Sequence, residues 1–347
     1  MLKSLSIPII QAPMAGGAST PTLASAVSRA GGLGFLAGGY KTAEEMRGEI
    51  LTMYQQTKSP FGVNLFVPSN DVVDLEKVND YREKVQTEAN PFGIRLGEPL
   101  ADDDEWEEKI AVIMELRVPV VSFTFGCPSV EVINNLKQNG SYIIVTVTTP
   151  EEALIAKGSG ADALSVQGIE AGGHRGSFLH NRLHSQEEDY PLLVLLRLIA
   201  ESVDIPLIAA GGIMHGKDIT TALTAGACAA QLGTAFLRCP ESGAHPVHKA
   251  ALINPRFTST AITHAFTGRR ARGLLNRFMM EYDNMAPYAY PHVHHITKSL
   301  RKAAAQTHNP ELMSLWAGQG YQSAQEIPAE ELIHLLMKQV RGNEPNE

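Results

Sequence analysis

Cysteine is scarce, with three in 347 residues: Cys127, Cys228 and Cys239. They are too few and too scattered for a disulfide framework or a zinc site. Each sits in an apolar or small-residue run, so they read as buried free thiols of a reducing compartment. Long apolar runs are missing, and none approaches the ~20 residues that span a bilayer. The opening MLKSLSIPIIQAPM lacks the apolar stretch and small-residue cleavage site of a signal peptide. A soluble, cytoplasmic chain with no membrane partner is expected. Positive charge is short too: 29 Lys and Arg stand against 37 Asp and Glu, a net charge of −8. That argues against a nucleic-acid partner, because phosphate binding needs clustered basic residues. There is no GxSxG elbow, no Walker loop and no early GxGxxG after the first strand pattern, which disfavours serine hydrolase, P-loop and open dinucleotide-binding readings. No repeat or low-complexity tract occurs.

What is present is a rhythm of short β-branched or small-residue runs, each followed by a helical pattern. They fall at residues 7–11, 34–37, 61–66, 120–125, 143–147, 163–167, 207–210 and 229–232. Eight such runs with little alternation suit parallel strands covered on both sides and closed into a barrel. The expected fold is therefore α/β, a (β/α)8 TIM barrel with a small, mainly helical C-terminal lid domain. A barrel takes roughly 250 residues, which leaves roughly 90 for additions. Helix signals accompany the strands: Thr20-Pro21, Thr149-Pro150 and Asp218 open helices, and Gly31-Gly32 and Gly226 close two of them.

The expected division is a barrel over 1–239, a helical lid over 240–328 and a final helix with tail over 329–347. Residues 70–115 form an extended insertion between strands three and four. The acidic run at 102–108 reads as a solvated face. After Cys239 the strand rhythm stops and the pattern is mostly helical, with an aromatic, His-rich loop PYAYPHVHH. His264, His292, His294 and His295 lack the spacing of a zinc helix and a companion carboxylate. No metal is expected there, and they read as a solvated or lid-lining loop.

Barrel chemistry gathers where strands end at their C-terminal side. Strand one runs out through Ala12, Pro13 and Met14, strand three reaches Asn64, and strand six reaches Gln167 before the loop Gly172-Gly173-His174. Strand seven ends at Gly211-Gly212, and strand eight runs through Gln231, Leu232, Gly233 and Thr234. The last two ends are where a barrel commonly binds phosphate through backbone amides, although two ordinary turns fit the same glycines. Asn64 and Gln167 suit the alternating polar edge of a flavin ring, or they cap strand-end backbone groups. His174 alone among the histidines sits in a strand-end glycine loop, where an imidazole can act as a general base or bind an anion.

These segments resemble the nitronate monooxygenase (2-nitropropane dioxygenase) family. The stretches that carry the resemblance are IIQAPMAGG, GVNLFVP, VQGIEAGGHRGSF, PLIAAGGI, AAQLGTAFL, TGRRARGLLNRF and WAGQGYQSA, in order from residue 9 to residue 324. VTVTTPEEA and WAGQG lean toward the bacterial class acting on propionate 3-nitronate. The resemblance implies a TIM barrel with a small helical domain and FMN bound by Asn64, Gln167, Gly172, Gly212 and the segment from Gln231 to Thr234. It also makes His174 the active-site histidine and Tyr288, Tyr290 and Lys298 candidate substrate contacts in the lid. Arg269 and Arg272 read as ion-pair anchors of the lid. The implied activity is a flavoprotein oxidoreductase that oxidises alkyl nitronates with O2 to an oxo compound and nitrite, through a flavin semiquinone. Its role would be detoxification, and the chain would be a monomer or homodimer. A related alternative is an NAD(P)H-dependent FMN reductase acting on quinones or enoyl-acyl-carrier protein. A flavin-binding module without turnover is a third reading.

Overall fold

The computed structural model describes residue 2 and residues 5–69, 72–178 and 189–342. Residues 70–71 of the expected insertion and 343–347 of the expected tail lie outside them.

The strands are β1 (Ile9–Gln11), β2 (Gly34–Ala37), β3 (Phe61–Phe66), β4 (Val120–Thr124), β5 (Tyr142–Val147), β6 (Ala163–Gln167), β7 (Gly173–His174), β8 (Leu207–Ala210), β9 (Ala229–Leu232), β10 (Thr260–Thr263) and β11 (Ala271–Leu274). Eight of them form one parallel sheet in the order β1-β9-β8-β6-β5-β4-β3-β2. The two edges meet through a parallel bridge between Ile10 and Leu33, with Gln11 N donating to Leu33 O at 3.0 Å. This is a TIM barrel. Gln11 is fully buried and staples the seam: its Oε1 accepts from Phe35 N at 2.9 Å and its Nε2 donates to Ser19 Oγ at 2.9 Å. Prolines stand immediately before β1, β3, β4 and β8, where no ladder N–H is needed. Their carbonyls still feed the neighbours: Pro8 O accepts from Ala230 N, Pro119 O from Tyr142 N and Pro206 O from Leu164 N.

Crossover helices α1 (Pro21–Arg29) and α2 (Ala43–Gln56) follow β1 and β2. Thr20 caps α1 by accepting from Leu23 N at 3.0 Å, ahead of Pro21 at the first turn. The stretch between β3 and β4 splits into two helices with different destinations. α3 (Leu75–Ala89) leaves the barrel, whereas α4 (Trp106–Glu115) packs Ile110 and Ile113 into the core around the barrel. The acidic run before α4 is not a solvated face throughout. Asp104 pairs with buried Lys109 at 2.8 Å and accepts from Tyr40 N at 3.0 Å, and Asp102 meets His295.

The circuit continues with α5 (Val130–Gln138), α6 (Pro150–Gly158), α7 (Leu192–Ser202) and α8 (Gly216–Thr224). α8 begins ahead of Asp218, because His215 and Asp218 form a reciprocal capping box.

After Cys239 the chain is helical in α9 (Pro246–Ala251), α10 (Arg277–Tyr282) and α11 (His292–Gln306), but it is not free of strands. β10, β11 and β7 form a three-stranded antiparallel sheet in which His174 pairs with Ala271 and Gly173 with Arg272. The loop that carries His174 is thus fixed by hydrogen bonding to a strand from the C-terminal half. A second apolar cluster joins α3 to α11 through Val78, Tyr81 and Val85 with Val293, Ile296 and Leu300. α12 (Ala329–Val340) returns to the barrel, with Leu332, Ile333 and Leu336 in the surrounding core.

Candidate active site

Inward-facing side chains change character along the barrel axis. Below lies an apolar plug of Ile10, Phe35, Val120, Ile144 and Ile208, all buried. Gly62 makes room for it, since a Cβ there would come within 2.2 Å of the Phe35 ring. Two residues further along, β3, β4, β5, β6 and β9 present the polar residues Asn64, Ser122, Thr146, Ser165 and Gln231. Asn64 Nδ2 donates to Ser122 Oγ at 2.9 Å and Thr124 Oγ1 at 3.0 Å, and Gln231 Nε2 donates to Ser165 Oγ at 3.2 Å. With both its N–H groups taken, Asn64 keeps its carbonyl oxygen for a ligand.

Above this layer, at the strands' C-terminal ends, opens a cavity of about 500 Å³. Ala12, Pro13 and Met14 line it from the end of β1, Asn64 from β3, and Gln167, Gly172, Gly173 and His174 from β6 and the loop beyond. Gly211, Gly212, Gln231, Leu232, Gly233 and Thr234 complete that wall. The set chosen from strand ends is therefore brought together in one place.

Part of the cavity wall is built from glycine loops. Gly211 and Gly212 adopt φ of +129° and +69°, a region that L side chains rarely enter. Gly172 lies so close to Gly318 that a Cβ would stand 2.4 Å from its nitrogen. Among the described residues, the amides of Gly212, Gly233 and Thr234 have no acceptor in the chain. The Thr234 hydroxyl accepts from Gly318 N at 3.0 Å and keeps its own proton to donate. Unbonded amides beside a hydroxyl form an anion cradle that needs no Lys or Arg.

Gln167 is more occupied than its position suggests. Its Nε2 donates to His174 O at 3.0 Å, and its Oε1 accepts from Gly176 N at 2.9 Å and from Arg175 at 3.1 Å. It ties down the His174 loop and keeps one N–H for a ligand.

His174 also lines the cavity. Its Nε2 lies 2.9 Å from Thr267 Oγ1, and the Thr267 hydroxyl in turn donates to Arg269 O at 3.2 Å. With its only proton used there, Thr267 accepts from His174, so the imidazole proton sits on Nε2 and Nδ1 keeps a lone pair. Burial, then the charges of Arg269 and Arg301, depress the His174 pKa to about 3, so the ring is neutral at ordinary pH.

Phe125 packs edge-on to His174 with ring centres 5.6 Å apart, and the Arg269 guanidinium lies 4.0 Å above the Phe125 ring. Phe125 holds φ of +77°, a strained value for an aromatic residue. Arg269 and Arg272 anchor this region through hydrogen bonds to backbone and hydroxyl oxygens. Arg269 donates to the carbonyls of Arg175 and Ser177, and Arg272 to Ile169 O at 2.9 Å and Thr260 Oγ1 at 3.1 Å.

The lid candidates part company. Lys298 lines the cavity at an exposed position. Tyr290 stands one layer behind, edge-on to Phe125 at 5.3 Å and to His174 at 6.1 Å. Tyr288 stacks on His264 at 4.0 Å and is not part of the lining.

The His-rich segment is not a solvated loop. Pro291 precedes α11, and His292 and His294 are buried on that helix. Carboxylates do accompany two of the four histidines, Asp283 at His264 and Asp102 at His295. Pattern reading also passed over Tyr40, Thr267, Arg301 and Trp316, which line the cavity together with His294. Tyr40 lies just beyond the end of β2, after Gly38 and Gly39. His294, Lys298 and Arg301 have the i, i+4, i+7 spacing of one helix face, a signal that was legible once the segment was read as helix.

The nitronate monooxygenase family model matches residues 1–339. A nitronate monooxygenase of Pseudomonas aeruginosa (strain PAO1) is 42% identical over 344 residues, 96% of this chain and 96% of that one. A probable nitronate monooxygenase of Bacillus subtilis (strain 168) is 38% identical over 343 residues, 97% and 96% of the two chains. Among solved structures, nitroalkane oxidase from Streptomyces ansochromogenes is 49% identical with a TM-score of 0.95, covering 97% of this chain and 96% of that chain. FabK from Thermotoga maritima is 30% identical with a TM-score of 0.76, covering 99% and 95%.

Proposed function

This chain belongs to the nitronate monooxygenase family of oxidoreductases, and from that premise we propose that it is FMN-dependent and oxidises alkyl nitronates with O2 to an oxo compound and nitrite. Propionate 3-nitronate is the substrate we favour. The observation that carries the reading is a single cavity lined both by unbonded backbone amides and by a neutral, oriented imidazole.

The residues present fit FMN. The amides of Gly212, Gly233 and Thr234 would hold its phosphate, and the carbonyl of Asn64 with the spare N–H of Gln167 would meet the polar edge of its ring. When bound, the flavin supplies electron acceptance from the nitronate and electron delivery to O2.

The chain's own residues do the rest. Arg269 and Arg301 give the cavity a positive potential that attracts an anionic nitronate. His174 lines the cavity with its Nδ1 lone pair available, and Phe125 and Trp316 pack against its ring. A base whose conjugate acid has a pKa near 3 removes a carbon-bound proton poorly. The site therefore suits a preformed nitronate better than the neutral nitroalkane, and turnover of the nitronate should exceed that of the nitroalkane by at least ~100-fold.

The deciding experiment is oxygen uptake by the FMN-loaded protein on adding propionate 3-nitronate with no nicotinamide present. Uptake with nitrite release is expected. No uptake with flavin bound would overturn the reading and direct attention to NADH-driven flavin reduction.

A further inference from the structure

Among the described residues, Arg301 has no carboxylate counterion. It lies on the face of α11 that also carries His294 and Lys298, and all three line the cavity. Its Nε donates to Thr297 Oγ1 at 3.1 Å, and one Nη2 donates to His294 O at 3.0 Å and faces His294 Nδ1 at 3.2 Å. Among the described residues its Nη1 has no acceptor and no carboxylate pairs with it. Burial lowers its pKa only to about 10, so the charge persists at neutral pH. Enclosing a guanidinium without an anion costs free energy that a bound anion would recover.

The neighbouring imidazole is set as a second donor. His294 Nδ1 faces an arginine N–H, so its own proton lies on Nε2. Burial first, then Arg301, pushes its pKa far below the ordinary histidine range, which keeps the ring neutral. Tyr40 holds the ring by stacking on it, with centres 4.0 Å apart and planes 6° from parallel. No hydrogen bond or ring contact joins this group to His174, and at His174 the Arg301 charge ranks after that of Arg269.

We propose that Arg301, with the His294 Nε2–H beside it, binds a carboxylate carried by the substrate away from its reacting carbon, and so selects doubly anionic nitronates over singly charged alkyl nitronates. This rests on the nitronate reading above and names the residue that sets substrate class within it.

The test compares kcat/KM for propionate 3-nitronate and for 1-propyl nitronate, which lacks the carboxylate, in the flavin-loaded wild type, Arg301→Met and Arg301→Lys. Arg301→Met is expected to lower the ratio of the two kcat/KM values by about 30-fold, chiefly through KM, the loss of one charge-assisted pair. Arg301→Lys should restore part of it. An unchanged ratio, with both substrates falling together, would overturn the proposal and place Arg301 on the nitronate group or in the fold. Titration with succinate, followed by perturbation of the flavin spectrum, reads the same site without turnover. Arg301→Met should weaken succinate about 30-fold, and equal binding by wild type and variant would overturn the carboxylate site. If the wild type oxidises neither nitronate, the activity reading fails while the succinate titration still decides the site.

Discussion

At the scale of single residues, the hydrogen bond between His174 and Thr267 fixes which nitrogen carries the proton. Because the His174 pKa is held near 3 by burial and two arginines, the ring stays neutral as pH rises from about 5 to 8. A free-enzyme kcat/KM profile on a preformed nitronate should then show no limb from this residue near pH 6.5. A limb there that vanished in His174→Asn would contradict the assignment. His174→Asn itself should lower kcat/KM by about 100-fold, the usual scale for a positioned acid–base or hydrogen-bonding group. Thr267→Val removes the acceptor that selects the tautomer and should cost about 10-fold in kcat, with Thr267→Ser recovering most of it. His174 was legible in the sequence because glycines flank it at a strand end. Tyr40 and Arg301 were not, because their roles depend on α11 crossing to the mouth of the barrel, which no local pattern announces.

At the scale of elements, the turn from β8 to α8 shows how backbone geometry becomes a binding surface. Gly212 holds φ of +69°, and a Cβ on it would meet Glu170 Cβ at 3.0 Å. Gly212→Ala must enter the left-handed region at a cost of roughly 1–2 kcal/mol or shift the loop. Either route displaces the amide offered to a phosphate, so FMN should bind about 10-fold more weakly. Titration of the apoprotein with FMN measures this, and unchanged affinity would remove that amide from the cradle. The barrel strands were legible because both faces are buried and prolines punctuate their starts, as at Pro60 before β3 and Pro206 before β8. β10 and β11 were not. β10 is half-exposed along most of its length, and β11 carries Arg272, buried because Ile169 O and Thr260 accept from it rather than because the chain is apolar there. α11 was hidden behind Pro291 and its histidines, although Val293, Ile296 and Leu300 keep a helical period.

At the scale of the whole molecule, the cavity concentrates imidazoles that the fold keeps uncharged. His174 is held near pKa 3, His248 near 4 by burial, and His294 lower still. In the unfolded chain each returns to about 6.5 and takes up a proton that the folded protein refuses. Stability from these groups is therefore fully present above pH 6.5 and is lost as pH falls through 6.5 toward 4. Each buried imidazole removes roughly 2 kcal/mol at pH 5, a large share of the 5–15 kcal/mol typical of a folded domain. Urea midpoints of the FMN-saturated protein should thus drop steeply between pH 7 and pH 5. His248 donates to Trp316 O at 3.1 Å, a bond that a glutamine amide can also make. His248→Gln should flatten the fall by about one third, since one of the three coupled protons is gone. An identical slope in wild type and variant would mean that His248 is protonated in the folded state, and that the cavity is wetter at that wall than its packing implies.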